Sequence, residues 1–461
     1  MSKHFEALWE KIVATNQLSH GSSDCLMCRK KMKVKRSKSL SPEPSSSRDA
    51  KVPKLFDKTL STGKLQDGQP HILDFSDDVL LNIIKFLSPQ DLMALSLCCQ
   101  RLNQVSRDRT LWRIVDFRSR PTKNEDLKNV IKFLQPSTTS IAINGRRTMI
   151  NESEDNLEEL KIDFVSQIGK VCTNLKELII EEYSIISKDI KITEFPSTLE
   201  KLSLKGTKVS HLPTIKSYFF KMDLHMQNLK ILIVSDCQWL TGHSLLVISK
   251  ILKLKELRLD SCKHLGDCVA YASLATRFGF KTLEVLDLRR TSIGDSEIRC
   301  LSNTKTLTHL YLEYSSEFSE SDDTLPRRDI FQEPTYEDRV VAQYAMDENQ
   351  FRWNDHSHNR ITDRSICSLG SYVCDRRVLD NVSRNVLYEE EVRVLNNPYL
   401  KTLVIRNYPL VTNKSLVHLA ANANNLEYLD VTGTSVTESG VQTFKSQRPN
   451  VTLISSFDIE T

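Results

Sequence analysis

The chain has 461 residues, enough for about three ordinary domains, and its 39% hydrophobic content supports a well-buried core. The net charge of +4 is unevenly spread: fourteen Lys/Arg against seven Asp/Glu in residues 1–70 give that stretch +7 and leave −3 on the rest. The folded part therefore lacks the basic balance of a nucleic-acid binder. No apolar run reaches the roughly 18 residues of a membrane span. The first residues, Met-Ser-Lys-His-Phe-Glu, lack a secretory layout, so the eleven Cys are expected as reduced thiols, not a disulfide frame.

Phe5, Leu8, Trp9, Ile12 and Val13 form one stripe of a short helix. Such a helix suits docking on the chain's own folded part as well as it suits a partner's groove. Cys25 and Cys28 have the spacing of half a zinc site, with only His20 nearby, and zinc wants four ligands; no metal or cofactor is predicted. Arg29, Lys30, Lys31, Lys33, Lys35 and Arg36 form the densest charge run, which fits a nuclear import signal and predicts nuclear as well as cytoplasmic residence. Phosphorylation of Ser39 or Ser41 would offset that charge. Residues 1–70 as a whole read as a mostly disordered basic tail.

From Ile72 the character changes. Ser76 can cap a first helix, with Asp77 and Asp78 on its electropositive end. That helix carries Val79, Leu80, Ile83, Ile84, Phe86 and Leu87. Ser88, Pro89 and Asp91 then give a second start signal, after which Leu92, Leu95, Cys99 and Leu102 recur at helical spacing. Two helices this apolar and this short cannot enclose a core, so they need the following domain or another chain. The segment 71–117 resembles an F-box, the helical hook by which substrate receptors join the adaptor of SCF (cullin–RING) ubiquitin ligases. Phe75-Ser76 stands for the family's Leu-Pro, Val79-Leu80 and Ile83-Ile84 for its first helix, Asp91-Leu92 matches directly, and Leu111-Trp112 closes the motif. A Pro is missing after Phe75, and Leu102 stands where the family often has Trp. The resemblance implies adaptor contacts by Phe75, Val79, Leu80, Ile83, Ile84, Leu87, Pro89, Leu92, Leu95, Cys99, Leu102 and Trp112. The alternative is a helical hairpin that only caps the next domain.

Residues 125–461 repeat one pattern. Leading leucines at 175, 199, 229, 254, 283 and 307, resumed at 400 and 426, each begin Leu-x-x-Leu-x-Leu/Ile/Val. The 24–30-residue spacing is that of a leucine-rich repeat. Ile141 and Ile143 suggest a weaker first copy, and Val451–Ile454 a closing strand. Cys237 and Cys262, eight residues after their leading leucine, are expected buried under the coil. A second echo, Ile293-Gly-Asp295, Ile361-Thr-Asp363, Val411-Thr-Asn413 and Val436-Thr-Glu438, suits the start of an outer helix. The expected fold is α/β: a leucine-rich-repeat solenoid, or horseshoe, preceded by a small helical F-box and a disordered tail. The cysteine-bearing repeats resemble those of the F-box/leucine-rich-repeat family. That resemblance implies a non-catalytic receptor, monomeric within a complex of adaptor, cullin and RING subunits, that presents a protein substrate for ubiquitination.

The strand spacing jumps between Leu312 and Leu400, which predicts one repeat with two insertions, about 316–360 and 376–398. Val378, Val382 and Val386 in the second hint at a helix; Asp355, His356 and His358 in the first read as solvated loop. Residues flanking each middle leucine should line the concave face. Their mixture of charges with Ile, Val and Tyr suits a protein partner, and Arg258, Asp287, His309 and Tyr311 are the candidate substrate contacts. No glycine-rich phosphate loop, nucleophile elbow or paired Cys/His metal signature supports an enzyme.

Overall fold

The computed structural model describes residues 71–146, 157–212, 217–266, 268–315, 361–379 and 386–458. The amino-terminal helical stripe, the import run and the insertion with Asp355, His356 and His358 lie outside them. The chain divides into two compact units, 1–108 and 109–461.

The described part of the first unit holds helices α1 (Asp77–Ile84), α2 (Pro89–Leu95) and α3 (Gln100–Val105) after a short 3-10 turn, Ile72–Asp74. Ser88 starts α2 as its sequence suggests: its hydroxyl accepts from the Asp91 N–H at 3.2 Å, with Pro89 in the first turn. Ser76 stands at the N-cap of α1, yet its side chain makes no capping bond. The run Leu92–Leu102 is not one helix. Cys99 adopts extended backbone and its sulfur caps α3, so the run breaks into two helices.

The second unit is built on one eleven-stranded parallel sheet. In chain order its strands are β1 (Ile114–Asp116), β2 (Ser140–Asn144), β4 (Glu177–Glu181), β6 (Lys201–Ser203), β8 (Ile231–Ile233), β9 (Glu256–Arg258), β10 (Val285–Asp287), β11 (His309–Glu313), β14 (Thr402–Arg406), β15 (Tyr428–Asp430) and β16 (Thr452–Ile454). Three short strands, β3 (Glu158–Glu159), β5 (Tyr183–Ile186) and β7 (Lys208–Ser210), form a second parallel sheet. The main register aligns Val115, Ile141, Leu178, Leu202, Leu232, Leu257, Leu286, Leu310, Leu403, Leu429 and Leu453 in a single row. Every member of that row is buried. Side chains alternate along a strand, so burying this row fixes the register of every coil. The sheet order follows chain order because each coil covers only its neighbours, the topology of a leucine-rich-repeat solenoid. β1 was not expected: residues 114–116, read as the end of the F-box, are the first strand of the array.

Between strands run helices α4 (Asn124–Val130), α5 (Ile162–Val171), α6 (Met222–His225), α7 (Gly242–Ile248), α8 (Val269–Phe278), α9 (Asp295–Leu301), α10 (Asp363–Ile366), α11 (Asn413–Asn422) and α12 (Glu438–Gln447). The echo of Gly/Thr before an acid or amide marks the starts of α9 to α12, and it also links one coil to the next. Asp295 accepts from the Thr362 N–H and hydroxyl at 2.8 and 2.6 Å. Asp363 in turn accepts from the Thr412 N–H and hydroxyl and the Ser415 hydroxyl at 2.8, 2.6 and 2.6 Å. Asn413 repeats the step on Thr437, its Oδ1 accepting from the N–H at 2.9 Å. Burial pushes the Asp363 carboxyl upward, but these donors outweigh it and hold the group below the ordinary aspartate range.

The position eight residues after the leading leucine carries a hydrogen-bond donor in coil after coil. Tyr183, Thr207, Thr291 and Thr434 donate to carbonyls through hydroxyls. Cys237 and Cys262 donate through sulfur to Leu204 and Val234 at 3.1 and 3.0 Å. Both thiols are buried, and desolvation pushes Cys237 up to about 12. An unpaired carbonyl beneath the coil would be costly, which explains a polar residue in an apolar layer.

The second insertion is not helical. β12 (Gly370–Leu379) and β13 (Val386–Asn396) form an antiparallel hairpin whose register opposes Gly370 to Asn396 and Tyr372 to Val394. Its base is held to the array: Asn396 Nδ2 donates to the Ser368 carbonyl at 2.9 Å and Asn397 Nδ2 to the Thr304 carbonyl at 2.9 Å. Gly370 has a φ of +94°, and a Cβ there would stand 2.6 Å from the Asn422 carbonyl oxygen, so only glycine fits this entry.

Candidate functional site

Two surfaces, one on each unit, present side chains that the fold itself does not use. In the first unit the apolar residues divide sharply. Leu80, Ile84, Leu92, Leu95 and Leu102 are buried. Ile83, Leu87, Pro89 and Cys99 are half-buried. Phe75 and Val79 are exposed, and Phe86 and Leu97 are 73% and 77% exposed. The buried members of the expected adaptor set therefore hold the chain's own structure together. Phe75 and Val79 remain open, joined by Phe86 and Leu97, which the expected adaptor set left out. Trp112 changes role too. It belongs to the second unit, where it is fully buried and stacks on Phe133 with ring centroids 4.7 Å apart. Its carbonyl accepts from the Thr138 hydroxyl at 2.8 Å.

Arg101 was also missed. Its guanidinium donates to the carbonyls of Leu73 and Phe75, the second at 2.7 Å, and to the Asp77 carboxylate at 2.8 Å. One planar fork thus binds the turn bearing Phe75 to the start of α1. A lone Arg beside Leu102 carries no sequence signal for this, because its three partners lie 24 to 28 residues earlier.

In the second unit the register brings Arg258, Asp287 and Tyr311 side by side on β9, β10 and β11. His309 stacks near Tyr311, with ring centroids 6.5 Å apart. Three of the four expected substrate residues offer accessible side chains; Asp287 does not. It is buried, and Arg289 grips it through two bonds, 2.9 and 2.6 Å long. Arg289 also lies 5.7 Å from the Tyr311 ring centre, a cation–π contact. Burial and the nearby Asp287 charge raise the Tyr311 hydroxyl above its ordinary pKa, so it stays a neutral donor. Asp430 repeats the pattern: buried, it is held by Arg406 at 2.6 Å. The expectation that every residue flanking a middle leucine is open therefore fails where Ile179, Ser203, Asp287, Val404 and Asp430 are buried. Arg289 was visible in principle. Asp116-x-Arg118, Glu256-x-Arg258 and Asp287-x-Arg289 all set an acid and an Arg two apart, within a strand or just past its end, and all three pair.

Among the described residues no group of three or more His, Cys, Asp or Glu is placed to hold a metal ion, and no helix is long and apolar enough to cross a membrane. The geometry defines a class: a leucine-rich-repeat solenoid preceded in the chain by a small helical segment. Residues 77–118 match the F-box-like family. Among solved structures, the chain is similar to an internalin (InlF) of Listeria monocytogenes, at 13% identity and a TM-score of 0.36, over 72% of this chain and 69% of that one. It is also similar to a chain of a TLR13–ssRNA13 complex, at 14% identity and a TM-score of 0.37, over 77% of this chain and 38% of that one. No curated protein matches in sequence. The assignment of the array rests on its own sheet topology.

Proposed function

We propose that this chain is a non-catalytic substrate receptor of an SCF (cullin–RING) ubiquitin ligase. The F-box-like match at 77–118, ahead of an eleven-stranded repeat sheet, is the observation that carries the reading. The adaptor docks on the exposed apolar side chains Phe75, Val79, Phe86 and Leu97, with half-buried Ile83, Leu87 and Pro89 beside them. A protein target binds the sheet face around Arg258, His309 and Tyr311, with Asp287 fixing Arg289 beneath. The transfer of ubiquitin from thioester to lysine belongs to other subunits, and this chain supplies proximity. Residence in nucleus and cytoplasm follows if the run Arg29–Lys38 acts in import. The stretches Cys172–Leu178 and Phe195–Leu202 resemble those of F-box/leucine-rich-repeat protein twelve, and a place beside that protein is part of the proposal.

The test is adaptor capture. Phe86→Asp with Leu97→Asp should abolish co-purification of the Skp1-type adaptor while leaving the unfolding midpoint unchanged. Capture that survives the double variant would leave a repeat scaffold whose helical segment only caps the array. Arg258→Glu with Tyr311→Ala should keep the adaptor and lose the target.

A further inference from the structure

One edge of the array differs from the rest in both its apolar and its charged side chains. The turn segments 220–228, which includes the one-turn helix α6, 249–253, and 277–282, which begins with the last two residues of α8, lead into β8, β9 and β10. On them Phe220, Leu224, Leu252 and Phe278 stand 55%, 66%, 76% and 66% exposed. Lys221, Lys250, Lys253, Arg277 and Lys281 stand among them, and the same turns contain a single acid, Asp223.

The three turns lie side by side. The Thr282 hydroxyl donates to the Leu252 and Leu254 carbonyls, both at 2.9 Å, and the Phe280 N–H to the Ser249 carbonyl at 2.9 Å. Lys253 Nζ reaches Asn228 Oδ1 at 2.7 Å. Two of the cations sit against exposed rings: Lys221 is 5.5 Å from the Phe220 centroid and Arg277 is 5.5 Å from that of Phe278.

The contrast with neighbouring lysines is the decisive observation. One residue past the leading leucine, Lys176 and Lys230 share Glu200, Lys255 meets Glu284, and Lys401 meets Glu427. Among the described residues none of the five cations in the turns has a carboxylate partner. This edge therefore keeps net positive charge around apolar tips, while the coil just behind it neutralises its own.

We propose that this edge docks on an anionic phospholipid surface. Leu252 and Phe278 enter the boundary between headgroups and acyl chains, and the flanking Lys and Arg meet the headgroup phosphates. Long stems let Lys lie along apolar surface with the charge at its polar rim, and apolar tips ringed by Lys and Arg are the layout of interfacial binding. A protein partner is less well matched, because lysine is depleted at protein interfaces and four of the five cations here are lysines. The inference is independent of adaptor docking.

The experiment uses the full-length chain with Lys30, Lys31, Lys35 and Arg36 changed to Ala, so that the basic tail does not bind lipid in its place. It should sediment with phosphatidylcholine vesicles containing phosphatidylserine, less so as salt is raised, and should ignore pure phosphatidylcholine. Leu252→Asp with Phe278→Asp should lower vesicle binding at least about tenfold with an unchanged unfolding midpoint. Val417→Asp, an equally exposed site on α11, should have no effect. Absence of phosphatidylserine-dependent sedimentation, or equal binding by the double variant, overturns the proposal. Saturable binding of a Glu-rich aromatic peptide at this edge, with vesicles ignored, overturns it in favour of an acidic protein partner.

Discussion

The helical segment 71–108 and the repeat array spend the same kind of residue differently. In the array, the leucines that the sequence marks out are all enclosed, because each coil is covered by the next and register is set by burying one row. In the helical segment, Leu80, Leu92 and Leu102 are enclosed while Phe86 and Leu97, just as apolar, remain open. Three helices of six to eight residues have too little volume to cover both of their sides. Within a recognised motif, hydrophobicity alone does not separate contact residues from core residues; the division comes from which side the short helices can cover.

Core truncation in the array breaks the comparison hardest. Leu257→Ala, at a fully buried centre of the row, should cost about 2–5 kcal/mol in a denaturant titration. Phe86→Ala should stay within about 0.5 kcal/mol; equal losses would mean that the helical segment depends on its outer face for folding.

The acidic ladder between helix starts comes next. Asp363→Asn should cost about 1–2 kcal/mol, since it weakens bonds to three donors at a partly exposed carboxylate. The folded pKa of Asp363 is depressed, so its contribution is fully present above the ordinary aspartate value of about 3.9 and is lost as pH falls through the lower folded value. Midpoints of wild type and Asp363→Asn measured from neutral pH downward should therefore converge below about pH 4.

Smaller still is Arg101→Ala. Its partners are one turn and the first residue of α1, so the effect should be local: faster proteolysis and hydrogen exchange around Leu73–Asp77, with a global change below about 1 kcal/mol. Least of all should be Cys262→Thr, within about 1 kcal/mol, because Thr already fills the same place at 207, 291 and 434. In native protein Cys98, which is exposed, should be alkylated at mildly alkaline pH, while Cys237 and Cys262 react only after unfolding. Mass spectrometry of the labelled peptides distinguishes these outcomes.

The array was legible because one spacing recurs, and burial of Leu178, Leu202, Leu232 and their successors follows from it. The hairpin was not. Val378 and Val386 stand on two different strands, β12 and β13, so a spacing of four that suits one side of a helix here runs across a hairpin connection and carries no signal for it. β1 escaped because three residues carry no period, and Cys99 because an apolar spacing cannot reveal the extended backbone that splits α2 from α3. In the candidate site, alternation indicated where Arg258 and Tyr311 stand, but not that Asp287 is consumed by Arg289. Ion pairing depends on which side chains reach each other, and the alternating pattern contains only their side of the strand.

The continuous register between β11 and β14 has a consequence of its own. These strands pair from His309–Thr402 to Glu313–Arg406 although residues 314–401 intervene, and on the helix side Asp295 holds Thr362 and Asp363 holds Thr412. The coil is thus closed on both sides of the point where the extra chain leaves and returns. Such a point works as a cassette port: length and chemistry can be exchanged there without re-indexing the coils on either side. Lineages or designers could therefore retune the chain that joins β11 to β14 while the Tyr311 face itself is left unaltered.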